Sequence, residues 1–548
     1  MKRTLFFLTT ALSIGVFSAC KEQLDVKNPN QPTTASANSE SGVIALAQGG
    51  VYVNGFQQYK YPYDGVSGYF WTGAIGFHEI MADVIGVEAA NQFLNQIGCP
   101  DYVILDDGTK VLNPNSPKEQ VAMIREINQN ANAGQNTLYY EWAYMYALNS
   151  SMNSVLELAD KAAFTGDAAT KKATLQAWAH WWKGYAYARI GSIYYAGLIN
   201  NAGTGTNNTY VTKEKIIEES NASFDKATQA LSAISNTADY TTVMNQLIPT
   251  FNQVGKGRVP TPDMWKRGIS TMKARNLLAN TPVKNMTAAQ WQQVLTLTNA
   301  GLTASDNVFT GRSNDNGDFL AAANGAVAPK ATGDAGGGIT YKVSERLIQD
   351  FKPADKRLVN NFRKRATPWI GNSDRGNAFN TRYDLLDGGS GQAGVIVMSS
   401  KSVGQYELYL ASTYEENELM KAEAKLYTGD VEGGLKIIDA IRTMQGAGLP
   451  AVAGTGLALE AAKEELRSER RIVLAFRGLS FYDARRWGVI EDVAKGGGRK
   501  NAVVVDKTGK VNTKATINYN FLDYWDVPDN ELAYNKPGDG SAPVKNPR

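Results

Sequence analysis

Leu175, Ala179, Trp182, Ala186, Ile190 and Ile193 recur at intervals of 4, 3, 4, 4 and 3 residues, which places six apolar side chains along one face of a helix. Blocks with the same periodicity run near 137–160, 213–234, 263–280, 287–303, 413–428 and 431–445. Only Gly429-Asp430 separates the last two. Glycine tolerates the left-handed conformation just past a helix end, and an aspartate can cap the helix that follows, so the pair predicts a tight αα-hairpin. Paired amphipathic helices with Ala and Gly at close-contact positions are the pattern of stacked tetratricopeptide-like units, each pair burying its face against the next. No strict 34-residue consensus is readable, so periodicity alone predicts a mostly α fold.

Four stretches break the pattern. Residues 305–318, 324–338, 367–394 and 496–513 are rich in Gly, Asn, Asp and Ser and are expected to be long loops.

At the N-terminus, Lys2-Arg3 precedes an apolar run from Leu5 to Phe17, then Ser18-Ala19-Cys20. The run falls short of the roughly 20 apolar residues that cross a bilayer, so residues 1–19 are read as a signal peptide. Phe17-Ser18-Ala19-Cys20 is similar to a lipobox, whose cysteine is acylated and becomes the first residue after cleavage. Residues 20–41, rich in Asn, Gln, Pro, Thr and Ser, are then a polar tether, and 42–548 a single domain.

Composition narrows the function classes. Of 56 basic residues two lie in the leader, so the remainder carries 54 against 53 acidic residues, a net of +1 that gives no reason to expect nucleic acid. With Cys20 acylated, Cys99 is left alone, and the 43% hydrophobic content must stabilise the chain without an internal disulfide. The two histidines, His78 and His180, both fall in helix-like apolar settings where a core role is expected, and they are too few for a histidine-rich metal site. Placing Gly317 or Gly108 at the sixth position of a calcium loop puts Arg312 or Val103 at the first, where aspartate is required. Gly389-Ser390-Gly391-Gln392-Ala393-Gly394 leads into the strand-like Val395-Ile396-Val397-Met398 rather than a helix, so the dinucleotide context is wrong. Neither a GxxxxGK[ST] nor a GxSxG sequence occurs, and no other signal points to catalysis, so the chain is read as a non-enzyme without a cofactor.

What is present is aromatic. Tyr59, Tyr61, Tyr63, Tyr69, Phe70 and Trp71 are interleaved with Pro, Gly, Ser and Asp, and Trp369 is followed by Asn372, Asp374, Arg375 and Asn377. Sugar rings stack their C–H faces on aromatic planes while their hydroxyls bond to Asn, Asp and Arg, so Tyr69, Trp71, Trp369, Asn372 and Arg375 are the candidate ligand-binding residues. Burial in a core or interface would use the same side chains. Trp178, Trp181 and Trp182 lie on the periodic helix and are expected in the core.

The densest stretch runs from Glu464 to Gly488, where Leu466, Val473 and Phe476 keep helical spacing among arginines and acids. A guanidinium is always charged, so semi-buried arginines need carboxylate or carbonyl partners. Glu469, Arg470, Arg471, Asp483, Arg485 and Arg486 are therefore expected to form a structural ion network.

This stretch closely resembles the C-terminal signature "ERR-x-ELAFEG-x-R-x-xDLRRWG" of the SusD/RagB family of outer-membrane nutrient-binding lipoproteins of Bacteroidetes, departing from it at Val473-Leu474 and Arg477-Gly478. Thr413 to Asp430 with Ala440-Ile441-Arg442, the turn from Phe351 to Arg357, Lys273-Ala274-Arg275-Asn276-Leu277-Leu278, and Asp526 to Leu532 with Asn535 resemble further family motifs in order. Lys21-Glu22-Gln23-Leu24-Asp25 is similar to the surface-export signal of Bacteroidetes lipoproteins. The resemblance implies a right-handed superhelix of tetratricopeptide-like helix pairs decorated by long irregular segments that carry the ligand site. It also implies a cell-surface protein, lipid-anchored in the outer membrane, that passes an oligosaccharide to a SusC-like TonB-dependent transporter. An oligopeptide ligand and a protein-binding scaffold are the alternatives.

Overall fold

A computed structural model describes residues 38–56, 70–71, 73–87, 92–132, 135–203, 205–312, 341–371, 379–386 and 407–548. Among them, the helices of seven residues or more are α1 (Glu40–Tyr52), α2 (Gln120–Ile127), α3 (Thr137–Ala159), α4 (Ala168–Ile193), α5 (Lys213–Ser232), α6 (Thr237–Leu247), α7 (Pro262–Ala279), α8 (Ala288–Asn299), α9 (Tyr414–Tyr427), α10 (Val431–Met444), α11 (Leu459–Val473) and α12 (Ser480–Arg486). The fold is mostly α.

Polar side chains set where these helices begin. Asn136 Oδ1 accepts from the Leu138 amide at 3.1 Å, Asp167 from Thr170 at 3.1 Å, and Thr261, just ahead of Pro262, from Met264 at 3.2 Å. Thr287 and Gln290 form a reciprocal capping box on α8. The Gly429-Asp430 hairpin has the expected geometry: Gly429 takes φ +93°, and Asp430 accepts from the Gly433 amide at 2.9 Å.

Helices stack largely in chain order, α3 on α4, α4 on α5, α5 on α7, α7 on α8, α8 on α9 and α9 on α10. The six periodic residues of α4 are all fully buried, but so are Trp178, Trp181 and Tyr187 on its other sides. A helix with neighbours on several sides has no solvent face, so the one-face stripe understates its burial. The tryptophans of α4 gather Phe309, Trp265 and Tyr185 into one aromatic core.

Strands of three residues or more among the described residues are β1 (Ile85–Val87), β2 (Tyr102–Ile104), β3 (Lys110–Leu112), β4 (Thr310–Arg312), β5 (Tyr341–Val343), β6 (Phe362–Trp369), β7 (Thr381–Leu385), β8 (Glu407–Tyr409), β9 (Arg499–Val505) and β10 (Val511–Asn518). All pairings are antiparallel: β9-β10-β2-β3 form a sheet that ties the start of the chain to its end, and β1-β5, β4-β8 and β6-β7 are separate pairs. The sheet corrects the reading of 496–513 as a loop. Asp506 Oδ1 accepts from the Thr508 and Lys510 amides at 2.9 and 3.1 Å and closes a turn between β9 and β10. The turn residues dominate the local composition, while β10 finds its other partner, β2, far upstream. Strand pairs likewise occupy parts of the expected 305–318 and 367–394 loops, whereas 324–338 lies outside the described residues.

Candidate functional site

β6 ends on Trp369, paired in register with Thr381 of β7. The indole is partly exposed, and Nζ of Lys342 sits 3.9 Å from the centroid of its ring. Lys342 belongs to β5 and is 3% exposed, so its ammonium meets the indole from the protein side. A cation over an indole face is attracted by the ring quadrupole, more strongly where water is excluded. The opposite partner of Lys342 on β1 is Gly86, where a Cβ would come within 2.1 Å of the Phe379 ring. Only glycine permits that approach.

Asn380 pins both sides of the turn after Trp369: its Oδ1 accepts from the Gly371 amide at 2.8 Å, and its Nδ2 donates to the Val505 carbonyl at 2.9 Å. On β7, Arg382 donates to Glu345 through Nε at 3.2 Å and Nη2 at 2.8 Å, and Arg365 donates to Asp384 at 2.6 Å. The corner thus offers one partly exposed aromatic plane on a braced strand end, rimmed by charged hydrogen-bonding groups.

Of the candidate ligand residues, Trp369 alone stands at this corner. Cys20, Tyr69, Asn372 and Arg375 lie outside the described residues. Trp71 does not present a ring to solvent: it is fully buried, edge-on to Phe70 at 4.7 Å and Tyr144 at 6.2 Å, with Tyr185 at 5.7 Å. The flanking glycines and polar residues invite an exposed-loop reading, but α3 and α4 supply the rings that enclose it. Lys342 carries no sequence signal. Its role comes only from the β1-β5 pairing.

The Glu464–Gly488 stretch is a buried ion system. Arg470 donates to Asp483 through Nε at 2.9 Å and Nη2 at 3.1 Å, and Arg486 donates to Asp483 at 2.7 Å and to Glu423 at 2.7 and 2.6 Å. Burial opposes ionisation of Asp483, but the charges of Arg470 and Arg486 outweigh it and hold the carboxyl below its usual range. Arg471 donates to Asp350 at 2.6 Å and to the carbonyls of Ala82 and Asp83. Arg485 donates to the carbonyls of Ser192, Ala279 and Asp523. Glu469, fully buried, accepts from Arg357 at 2.5 and 3.2 Å and from Arg442 at 2.8 Å. Arg275 makes a bidentate pair with Glu416 at 2.6 and 2.5 Å. Arg275, Arg357 and Arg442 each come from one of the separate motifs noted in the sequence, so motifs scattered along the chain supply one buried set of guanidinium–carboxylate pairs.

Residues 413–538 match the model of the SusD family. This C-terminal segment is thus similar to the SusD family. Among solved structures, a SusD-like carbohydrate-binding protein from Bacteroides fragilis NCTC 9343 is similar at 16% identity and a TM-score of 0.55, covering 90% of this chain and 98% of its own. Another SusD-like carbohydrate-binding protein, from Bacteroides vulgatus ATCC 8482, is similar at 15% identity and 0.53, covering 92% and 98%. A structure solved with xylogluco-oligosaccharide is similar at 14% identity and 0.51, covering 92% and 99%. At these identities the structures speak for the fold. No curated protein matches the chain. The Glu464–Gly488 stretch, within the matched segment, builds the join between α11, α12 and the segment around Glu79, whose buried carboxylate accepts from the Phe476 and Gly478 amides at 3.0 and 2.9 Å and from Ser480 Oγ at 2.8 Å.

His78, next to Glu79, is fully buried, with Nε2 2.9 Å from Glu141 Oε2 and 2.8 Å from Arg189 Nη2. Burial, helped by the Arg189 charge, lowers its pKa to about 4, against the pull of Glu141. The folded state therefore keeps His78 neutral where the unfolded chain, with a pKa of about 6.5, takes up a proton. Stability is expected to fall as pH drops from about 6.5 to about 4, by up to roughly 1.4 kcal/mol per pH unit for this one group. Thermal melts across that window check it, with His78→Gln less stable at pH 7 but losing less on acidification. Parallel slopes for the two proteins would remove His78 as the cause.

Proposed function

We propose that the protein is a cell-surface lipoprotein, anchored through an acylated Cys20, that binds a nutrient glycan without chemical change and passes it to a SusC-like TonB-dependent outer-membrane transporter. The observation that carries the glycan reading is Trp369, a partly exposed indole braced at a strand end by Lys342, in a chain whose fold is shared with SusD-like proteins named as carbohydrate-binding. A sugar ring would lay its C–H face on the indole plane away from Lys342. Its hydroxyls would find hydrogen-bonding partners along the rim of β6 and β7.

Titration against the glycans that score on a mixed glycan and peptide array tests this. Trp369→Ala is expected to weaken binding about ten- to a hundredfold, by analogy with the roughly 1–3 kcal/mol of an aromatic stack, with little change in melting temperature. Equal affinity for wild type and variant, or array signals from peptides alone, would overturn the reading. Anchoring is checked by detergent-phase partitioning: the wild type is expected in the detergent phase and Cys20→Ser in the aqueous phase.

A further inference from the structure

Trp369 stands on a local excess of positive charge. Arg363, Lys364 and Arg365 follow one another on β6, Arg382 lies on β7 one residue beyond the register partner of Trp369, and Lys342 sits behind the indole. Arg363 and Lys364 are exposed, and Arg365 and Arg382 partly so. Acids are fewer here. Glu345 takes Arg382 at 2.8 Å, and the single buried carboxylate of Asp384 is shared between Arg365 at 2.6 Å and Arg363 at 3.4 Å. Four cations on the two strands thus meet two carboxylates. The connecting segment 372–378 is neutral in sequence, with Asp374 and Arg375, and the turn after β9, tied to this corner through Asn380 and the Val505 carbonyl, adds Asp506 and Lys507 and no net charge.

Without its leader the chain carries a net of only +1, so the imbalance belongs to this corner and not to the protein at large. Cations on consecutive exposed positions attract anions, because their fields add at a surface that a ligand can approach. A guanidinium also presents parallel N–H groups that match the paired oxygens of an anionic group. The indole narrows the class of anion, since its flat apolar face has no use for a free inorganic anion but accepts the C–H face of a sugar ring.

We propose that the glycan taken at this corner is anionic, with uronic carboxylates or sulfate esters on the sugars that extend from Trp369 along β6. The proposal rests on the glycan reading of Trp369 and adds the charge of the ligand to it. Stacking on the indole sets where one sugar lies, and Arg363 and Lys364 select glycans whose neighbouring sugars are charged. Because these cations lie at the surface, salt screens their contribution and leaves the stack.

An array of neutral, uronic and sulfated glycans with acidic peptides, probed with the full chain in detergent, tests this, followed by titration of each scoring glycan against its carboxyl-reduced or desulfated counterpart. The acidic form is expected to bind roughly tenfold more tightly, and to lose most of that advantage between about 50 and about 500 mM sodium chloride. Whether reduction or desulfation removes the advantage identifies the acid. Side chains at neighbouring strand positions point to opposite faces, so the double variant Arg363→Gln with Lys364→Gln removes charge from both. It is expected to bring the acidic and neutral forms to similar affinities, whereas Trp369→Ala weakens both forms. Neutral glycans bound as tightly as their acidic forms, or an advantage that the double variant keeps, would overturn the acid preference and leave the glycan reading standing. Acidic peptides scoring alone, or no glycan scoring, would remove both.

Discussion

Glu469→Ala is expected to destabilise the protein by about 3–5 kcal/mol, the cost of leaving buried charge uncompensated. Glu469 is fully buried and accepts from two guanidiniums, Arg357 and Arg442. After the substitution Arg357 keeps Asp355 and Gln445, and Arg442 keeps Glu465, but one positive charge in the cluster loses its counterpart. Arginine cannot neutralise itself, and Arg357, itself fully buried, cannot turn to water without opening the join between its helix and α11. Glu469→Gln, which retains an acceptor oxygen, is expected to cost less, because part of the hydrogen bonding survives. Urea melts of the two variants order them. Ligand affinity of the folded fraction is expected to stay at the wild-type value, since the network lies in the joins between helices. A Glu469→Ala protein as stable as wild type would show that these pairs contribute nothing net.

Trp71→Ala is expected to cost about 3–5 kcal/mol, the range for emptying a large aromatic from a packed core. Its ring fills space among Phe56, Phe70, Tyr144, Trp182 and Tyr185, with centroids between 4.7 and 6.4 Å away. These partners come from both long helices α3 and α4 as well as from its own segment, so no single neighbour can collapse into the void. Melting temperature should fall while affinity per folded molecule holds, the reverse of Trp369→Ala. Trp71→Phe, which keeps much of the volume, should recover most of the loss. Binding lost with stability intact would return Trp71 to the ligand site.

The two tryptophans show where local reading stops. Both sit close to glycines and short polar residues, and that shared setting invites the same loop reading for each. One is sealed by rings from α3 and α4, and the other ends a strand whose register leaves it partly open. Exposure depends on what packs on top, and what packs on top comes from distant sequence. The 496–513 hairpin carries the same lesson for backbone, because a strand whose partner lies on β2 has no local period strong enough to override the glycine and aspartate of its turn.

By itself, the sequence determined the helices, the Gly429-Asp430 hairpin and the family likeness of the C-terminal segment. Helical spacing and caps are written within windows of a few residues, and the Glu464–Gly488 string is long enough to be specific. It also determined that its arginines need partners, since a guanidinium has no neutral form to fall back on. Which partners they take was decided by the tertiary structure. Glu469 meets Arg357 and Arg442, Arg471 meets Asp350, and Arg499 is left without a hydrogen bond at Nε among the described residues. Ion pairing is satisfied over a few ångströms in space, and only the packing of α9, α10 and α11 on one another and of the short helix Glu345–Asp350 on α11 brings such charges that close.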